Sequence, residues 1–233
     1  MLMKRDHGSL RVTRRNAAEA SGGASSPVIY SLFEKVLLDL DLKGDLLDFG
    51  AGKGILTERI LRLDRFDSIT AADLVVPPQR PTEIKWITAD LNEPLKLPAG
   101  LFDVIVAAEV IEHLENPRAL AREWFRLLRP HGKLILSTPN NESWRSILSL
   151  LFRGHYALFQ SASYPAHITA LLRRDIERCL TEAQFENPVF IFTDHGTLPT
   201  LRRLRWQTLS CGLLKGLRYS DNLLAIASKP VTC

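Results

Sequence analysis

Residues 46–54 read LLDFGAGKG, in which a short apolar strand runs directly into a cluster of three glycines. The next segment, ILTERILRL (55–63), restores the helical spacing of apolar residues. Glycine permits the sharp turn between strand and helix, and it lets a ligand approach the backbone closely. The free N–H groups at the start of the following helix favour an anionic group such as a carboxylate or phosphate. The stretch therefore predicts a strand–turn–helix ligand site.

Four acidic residues follow the ends of four consecutive predicted strands. They are Asp48, Asp73, Asp90 and Glu109. In open α/β sheets, ligands bind at the carboxyl ends of the strands, and a carboxylate after the second strand can accept both hydroxyls of a ribose. Each acid taken alone also fits an ordinary cap or turn. Because all four coincide with strand ends, we predict a nucleoside-binding edge.

Strands alternate with helices along the chain, which is typical of a parallel sheet with right-handed crossovers. The predicted strands span 45–50, 68–73, 83–90, 102–110, 133–139, 189–194 and 222–230. The predicted helices span 28–42, 55–63, 117–129 and 173–185. The connection VVPPQRP (75–81) is short and proline-rich, so we expect a stunted helix or none there. The fold class is therefore α/β, with a single doubly wound sheet.

The 233 residues suffice for one large domain. Residues 1–26 carry a net charge of +3 and residues 195–233 a net charge of +5, whereas the segment between them carries −4. We expect a disordered basic tail over 1–26 and one folded domain over 27–233, with insertions at 141–166 and 195–220. An acidic centre with basic ends is unlike a nucleic-acid reader, which carries a basic stripe across its binding face.

The composition favours a cytoplasmic protein. No apolar run reaches the roughly 18 residues that a membrane span needs, and the N-terminus lacks the apolar stretch of a secretory signal. Asp6 and Glu19 argue against a transit peptide. The three cysteines, Cys179, Cys211 and Cys233, are odd in number and widely spaced, so we expect neither a disulfide framework nor a metal site.

The motifs together resemble a known family. LLDFGAGKG, the AAD that ends the second strand, ITADLNEPLKLPAGLFDVIVAAEVIEHLENP (87–117) and LLRPHGKLILSTPN (127–140) look like a class I S-adenosylmethionine-dependent methyltransferase of the type-11 group. The chain is similar in particular to ubiquinone-biosynthesis O-methyltransferases and to methyltransferases of bacterial cell-envelope glycan clusters. The resemblance is specific from about 45 to 140 and weaker through 167–185. It implies a seven-stranded, mostly parallel sheet with the last strand antiparallel, and the cofactor S-adenosyl-L-methionine, which becomes S-adenosyl-L-homocysteine.

The resemblance also implies which residues hold the cofactor. Asp48, Gly50 and Gly52 would hold the methionine moiety, while Ala51 stands where many members have Cys. Backbone from Ala107 to Glu109 would face the sulfonium and the cofactor's amino group.

The adenosine half would meet the next two strands. The resemblance implies that Asp73 takes the ribose hydroxyls and that Leu74 lies against the adenine. Asp90 would accept the adenine amino group, and Leu91 would donate its backbone N–H.

Two histidines are candidate general bases. Methyl transfer from a sulfonium is an in-line displacement, so the protein mainly aligns the acceptor and excludes water. An oxygen acceptor must also lose a proton, and histidine is suited to accept it near neutral pH. His113 follows the fourth strand and His167 ends the aromatic insertion, although each also fits a structural role at a helix start. His131, in a turn beside Pro130 and Gly132, is interpreted as structural.

The acceptor is expected to be a small molecule, a glycan or a lipid-linked compound methylated on oxygen. The N-terminal helix and the aromatics of 141–166 are expected to line its pocket, unless those aromatics are simply core. WRSILSLLF (144–152) and LPTLRRLRWQTLSCGLLKGLR (198–218) combine apolar and basic residues. Basic amphipathic helices lie on anionic membrane surfaces, which gives a possible peripheral contact at the inner membrane face. The alternative is a helix packed on the sheet edge with a solvated basic face.

Three other functions are alternatives to a small-molecule methyltransferase. The first is a nicotinamide-dependent oxidoreductase, but the third glycine arrives one residue early for the G-x-G-x-x-G fingerprint. The second is a nucleic-acid methyltransferase, whose usual Pro-Pro-aromatic motif is replaced here by AAEVIEHL (107–114). The third is a catalytically silent cofactor-binding protein. The sequence does not indicate an oligomeric state.

Overall fold

Strands and helices alternate along most of the chain in the computed structural model, which describes residues 7–199, 201 and 203–231. The strands are β1 (Gly44–Phe49), β2 (Phe66–Asp73), β3 (Ile84–Thr88), β4 (Phe102–Ala108), β5 (Leu128–Pro139), β6 (Glu186–Phe192) and β7 (Asn222–Ser228). The helices are α1 (His7–Ala20), α2 (Pro27–Asp39), α3 (Ile55–Leu61), α4 (Pro117–Leu127), α5 (Trp144–Arg153), α6 (Arg173–Glu182) and α7 (Trp206–Leu209).

The seven strands form one sheet in the order β3-β2-β1-β4-β5-β7-β6. Strand β1 pairs in parallel with β2 on one side and with β4 on the other. Strand β7 is antiparallel to both β5 and β6. The predicted fold class, a doubly wound α/β sheet with the last strand antiparallel, is confirmed. The chain runs from β1 outward to β2 and β3 on one side and then continues with β4 on the other side of β1. At this reversal of the strand order, a crevice opens at the carboxyl ends of β1 and β4.

Helices cover both faces of the sheet and create two hydrophobic cores. One core surrounds Trp124 of α4 and includes α6, and the other surrounds Phe33 of α2 and includes α3. Successive residues of β1 serve opposite cores, since Leu46 belongs to the second and Leu47 to the first. This double burial explains why the central strands are almost continuously apolar.

The N-terminal region differs from the prediction. Sequence analysis predicts a disordered tail over 1–26, whereas residues 7–20 form helix α1 in the structure. The alanine-rich end of α1 favours a helix, and Arg15 pairs with Glu19 one turn later at 3.0 Å. Residues 1–6 lie outside the described part of the chain.

The basic segment 198–218 is not the single helix that the sequence predicts. The helical parts are the four residues of α7 and a 3-10 turn at Leu217–Tyr219, while residues 200 and 202 lie outside the described part. Gly212 and Gly216 have φ angles of +83° and +79°, which a continuing right-handed helix does not allow. Periodicity alone therefore overestimates the helix here.

The proline-rich connection after β2 follows the prediction. All residues from 74 to 83 are described, and none is helical. The insertion 141–166 contains the α-helix α5 and a 3-10 turn at Ser161–Ser163. The connection after β2 therefore provides no helix to cover this part of the sheet edge, and another element can lie there.

The buried aromatic ring of Phe33 gives a test of the packing. Phe33→Ala should lower the free energy of unfolding by about 3–5 kcal/mol, because Phe33 is 0% exposed and its removal leaves a cavity. Leu38→Ala on the same helix is the matched control, since Leu38 is 46% exposed and the loss there should stay below about 1 kcal/mol. Chemical denaturation measures both losses of stability, provided that the m-value is the same for wild type and variants. Equal losses for the two variants would contradict this account of the core.

Candidate active site at the carboxyl ends of the strands

A cavity of about 580 Å³ opens at the carboxyl ends of β1, β2 and β4. Nine of the ten residues that sequence analysis assigns to the cofactor line it: Asp48, Gly50, Ala51, Gly52, Asp73, Leu74, Asp90, Leu91 and Glu109. The tenth, Ala107, is 1% exposed and packs in the core, and the cavity is lined by Ala108 instead. The difference of one residue follows from the alternation of side chains along β4.

The glycine turn after β1 is bent by three residues with positive φ: Gly50 at +84°, Gly52 at +54° and Gly54 at +79°. A Cβ on Gly50 would lie 2.4 Å from the Val110 side chain, and one on Gly52 would lie 2.4 Å from the Gly23 carbonyl oxygen. The glycines are thus required both by the backbone conformation and by close packing around the turn.

Asp48 lies beneath this turn and is 1% exposed. Thr57 Oγ1 donates a hydrogen bond of 2.6 Å to Asp48 Oδ2. The other oxygen, Oδ1, has no hydrogen-bond partner among the residues that the structure describes. Burial raises the pKa of the Asp48 carboxyl to about 7, because the charged form loses its hydration. The carboxyl is therefore poised to accept a cationic or hydrogen-bond-donating group.

Asp73 sits at the end of β2 beside the same turn. Its Oδ2 accepts the backbone N–H of Gly52 at 2.8 Å, and its Oδ1 accepts that of Val75 at 2.9 Å. Burial raises the pKa of Asp73, and the backbone donors act in the opposite direction. These bonds orient the carboxylate, which still has free lone pairs for a diol.

Asp90 and Leu91 line the cavity beyond β3. Asp90 Oδ1 accepts the backbone N–H of Asn92 at 3.0 Å, and Asp90 Oδ2 accepts a hydrogen bond from Arg14 Nη1 at 2.9 Å. Arg14 belongs to α1, which the sequence does not connect to this site.

Two glutamates follow β4. Glu109 has a φ of +56°, and its Oε1 accepts a hydrogen bond of 2.6 Å from Asn222 Nδ2. Glu112 is 0% exposed, and its Oε2 accepts a hydrogen bond of 3.1 Å from Thr138. Burial raises the pKa of both carboxyls, and the charge of Glu109 raises that of Glu112 further. The raised pKa values of these two carboxyls favour the binding of protons or cations beside the end of β4.

The structure brings the two predicted histidines together. Their ring centroids lie 4.8 Å apart, and both rings line the cavity. His113 Nδ1 lies 2.8 Å from the Ala166 carbonyl oxygen, and His167 Nδ1 lies 2.7 Å from the Leu158 carbonyl oxygen. A carbonyl can only accept, so each Nδ1 carries the proton and each Nε2 keeps its lone pair.

Burial keeps both imidazoles neutral. It lowers the pKa of His113 to about 4, and the neighbouring His167 adds to this decrease, whereas the Ala166 carbonyl opposes it. Burial also lowers the pKa of His167. Both rings are hydrogen-bond acceptors at neutral pH.

Glu112, His113 and His167 also form a possible ligand set. One ligand atom from each lies within 4.8 Å of the others, and Glu112 Oε1 has no hydrogen-bond partner in the described part of the chain. Imidazole rings that donate Nδ1–H to a carbonyl are oriented as metal ligands commonly are. Sequence analysis expects no metal site from the cysteines, and the proximity of Glu112 and His113 to His167 is hidden in the sequence, where 54 or more residues separate them. The tertiary structure supplies a set that can hold a divalent metal.

The predicted acceptor pocket is only partly reproduced. Tyr30 of α2 and the pair Tyr164 and Pro165 line the cavity. Trp144 and Phe152, which sequence analysis places in this pocket, are 39% and 77% exposed on α5. The aromatics of α5 are therefore neither core nor part of the cavity wall.

The residues present fit S-adenosylmethionine. Asp48 Oδ1, which has no hydrogen-bond partner among the described residues, would accept the cationic methionine moiety, and the oriented Asp73 carboxylate would accept a ribose diol. Sequence analysis missed Arg14, Glu112 and Asn222, which are brought in by contacts remote in sequence. In the sequence, the second glutamate of EVIEH (109–113), directly before His113, could have identified Glu112 as a site residue.

Known proteins resemble this chain in sequence. The family described as a methyltransferase domain matches residues 26–188, which is well over half of the chain. The ubiquinone biosynthesis O-methyltransferase of Xanthomonas oryzae pv. oryzae (strain PXO99A) is 32% identical over 155 residues, covering 58% of this chain and 63% of that protein. The mitochondrial ubiquinone biosynthesis O-methyltransferase of Rattus norvegicus is 30% identical over 124 residues, covering 48% of this chain and 35% of that protein. The chain thus spans less than two thirds of either relative's length.

Solved structures share the fold. A SAM-dependent methyltransferase from Archaeoglobus fulgidus superposes with a TM-score of 0.62 at 15% identity, covering 91% of this chain and 97% of that one. The 1,6-didemethyltoxoflavin-N1-methyltransferase of Burkholderia thailandensis, solved with S-adenosylhomocysteine and 1,6-didemethyltoxoflavin bound, gives 0.63 at 18% identity, with coverages of 99% and 92%. At such identities the similarity shows the fold alone.

The family match bears on the rival functions. It favours a methyltransferase over the nicotinamide-dependent oxidoreductase that the sequence left open. Because the matched region covers well over half of the chain, the chain belongs to the methyltransferase-domain family.

Proposed function

We propose that this methyltransferase transfers the methyl group to an oxygen atom of a small-molecule, glycan or lipid-linked acceptor. The observation that carries the proposal is the pair of neutral imidazoles, His113 and His167, facing the cavity beside the end of β4. An oxygen acceptor must lose a proton, and these Nε2 atoms are available to accept it. The relative from Xanthomonas oryzae is named an O-methyltransferase, which agrees with an oxygen acceptor.

The protein's own residues provide binding and alignment. When bound, the cofactor supplies an already activated methyl group. Asp48 and Asp73 hold its two ends in this scheme, and the glycine turn lets it lie against the backbone. His113 accepts a hydrogen bond from the acceptor hydroxyl through Nε2 and takes its proton as the methyl group transfers. The lid-like wall formed by α1 and Tyr164 excludes water.

Substitution of the histidines tests the base. His113→Ala and His167→Ala should lower turnover by about 10²-fold or more, since general bases contribute that much, and should leave S-adenosylhomocysteine affinity unchanged. Turnover is measured by transfer of a labelled methyl group to a panel of hydroxyl- and amine-bearing acceptors. His155→Ala is the control, because His155 bonds to its neighbour Tyr156 and does not line the cavity. Full activity in both variants would remove the histidines from the reaction.

The same assay separates a base from a metal-assisted reaction. If Glu112, His113 and His167 hold a divalent metal, dialysis against a chelator abolishes turnover and the added ion restores it. If the imidazoles act as bases, the chelator has no effect. Transfer to amines alone would contradict the oxygen acceptor in either case.

The buried Asp48 makes cofactor affinity depend on pH. Its pKa is raised to about 7, so below that value the carboxyl is increasingly protonated and must release its proton to pair with a cation. Affinity for S-adenosylhomocysteine should therefore rise as pH rises through about 7, by up to about tenfold per pH unit below the pKa. Calorimetry between about pH 5.5 and 8.5 measures it. Asp48→Asn, which does not titrate, is expected to bind weakly and without this slope, and a flat profile in the wild type would contradict the assignment.

We further propose that the acceptor is reached at an anionic membrane surface. Leu151 and Phe152 of α5 are 70% and 77% exposed, and Leu213 is 85% exposed. Exposed cations lie near them in the chain, namely Arg153 and Lys215. Exposed apolar side chains with basic neighbours favour an anionic lipid interface. Among the described residues, no helix has the length and apolar character that crossing a membrane requires.

Vesicle flotation tests the membrane contact. The protein should float with vesicles containing anionic lipid at low salt and should detach at high salt, because the attraction is partly electrostatic. Leu151→Asp combined with Phe152→Asp should abolish flotation. Asp39→Asn, on the exposed end of α2, is the control. A wild-type protein that stays unbound at low salt would defeat the proposal.

A further inference from the structure

Helix α1 forms a wall of the cofactor cavity. Arg14, Ala17 and Ala18 line the cavity, as do residues 21–25 that follow the helix. The connection after β2 contains three prolines and forms no helix, so it leaves this side of the sheet edge open. The wall is therefore supplied by an element from the other end of the sequence.

The helix is held with little apolar burial. From residue 10 to residue 20, no residue is fully buried, and Ala17 and Ala18 are only half-buried. The larger apolar residue Val12 is 59% exposed. Since hydrophobic stabilisation scales with the apolar area removed from water, it contributes little to the position of α1. Polar contacts must therefore decide where this helix lies.

Arg14 makes those contacts with three carboxylates. Its Nε and Nη2 bind the two oxygens of Glu115 at 2.9 and 2.7 Å. Its Nη1 binds Asp90 Oδ2 at 2.9 Å and Glu93 Oε1 at 3.0 Å. The side chains of Arg14 and Asp90 are 13% and 16% exposed, so this pair is less screened than an ordinary surface pair, whereas Glu93 and Glu115 are more exposed. One guanidinium thus ties α1 to the loop after β3 and to the loop before α4.

The two loops are themselves connected. The backbone N–H of Glu115 donates a hydrogen bond of 2.9 Å to Asn92 Oδ1. Beyond the C-terminal end of α1, Gly22 and Gly23 have φ angles of +74° and +59°. The carbonyl oxygen of Gly23 accepts the backbone N–H of Lys53 in the glycine turn at 2.8 Å. The glycine segment therefore anchors the C-terminal end of the wall, and Arg14 fastens the middle of α1.

We propose that Arg14 is a positioning residue for the cofactor, clamping α1 over the bound nucleoside so that breaking its ion pairs limits cofactor release. The proposal rests on the cofactor of the family and is independent of the acceptor. We call the contacts of Arg14 with Asp90, Glu93 and Glu115 the Arg14 clamp.

The clamp and the cofactor can share Asp90. A carboxylate offers about four lone-pair sites. Oδ2 accepts one hydrogen bond from Arg14, and Oδ1 accepts hydrogen bonds from the backbone and side chain of Asn92 at 3.0 and 3.3 Å. A further site on Oδ2 remains for an amino group, so the clamp can stay closed while the nucleoside is bound.

Dissociation kinetics test the clamp. Stopped-flow measurement should show S-adenosylhomocysteine leaving Arg14→Gln about tenfold faster than wild type, as expected for the loss of the part-buried pair with Asp90 together with two more exposed pairs. Arg14→Lys should fall between the two, because ammonium cannot reproduce the fork. Arg15→Gln is the matched control, since Arg15 is the adjacent arginine and pairs within the helix with Glu19.

Salt dependence separates a clamp from a general structural effect. Raising NaCl from about 0.05 to 0.5 M should speed dissociation from wild type and from Arg15→Gln, and should change Arg14→Gln little. Hydrogen exchange over residues 7–20 should slow when the cofactor analogue binds wild type, and this protection should be lost in Arg14→Gln while the core strands stay protected. A dissociation rate in Arg14→Gln that equals or falls below that of wild type would overturn the proposal.

Discussion

The tight turn after β1 is held against the ends of two neighbouring strands, and the rest of the site depends on that attachment. The backbone N–H groups of Gly50 and Ala51 donate to the Ala72 carbonyl at 2.8 and 3.1 Å, and the N–H of Gly52 donates to Asp73. A side chain at Gly50 would collide with Val110 beyond β4. Since β1, β2 and β4 run parallel, these contacts place their functional ends around one cavity. A change in the turn would move all three.

Buried negative charge is the second organising feature. Asp48 and Glu112 are almost fully buried, and each has an oxygen without a hydrogen-bond partner among the described residues. Desolvation of such groups opposes folding unless a proton or a cation compensates. A cofactor that carries an ammonium and a sulfonium group would provide that compensation at Asp48. Binding of such a cation would then also stabilise the fold.

Enclosure of the cavity comes from elements outside the sheet. The 3-10 turn with His113 is tied to the segment of His167, because Ile168 and Thr169 donate to the Glu112 carbonyl at 3.0 Å. On the opposite side, α1 replaces the missing helix after β2. The two walls differ in packing, because Ile111 and Leu114 around the turn belong to a hydrophobic core whereas α1 is held mainly by polar contacts. A weakly packed wall beside a well-packed sheet is the arrangement that ligand exchange needs.

The sequence by itself determined the sheet and the cofactor edge. Continuous apolar strands, the glycine cluster of 46–54 and the acids at Asp48, Asp73 and Asp90 are local patterns whose physical meaning does not depend on distant partners. The predicted sheet is confirmed, and nine of the ten residues assigned to the cofactor line one cavity, whereas the Ala107 side chain packs in the core. Local periodicity failed at 198–218, where Gly212 and Gly216 interrupt the helix.

Only the tertiary structure decided the contacts between distant residues. Arg14 meets Asp90 across 76 residues, and the carbonyl of Ala166 meets His113 across 53. A charged segment such as 1–26 is indistinguishable from a solvated tail until its partners are placed, because its helix has little apolar surface to reveal it. The same reason hides the Glu112, His113 and His167 cluster, since ligand sets are defined by distances in space and not by spacing along the chain.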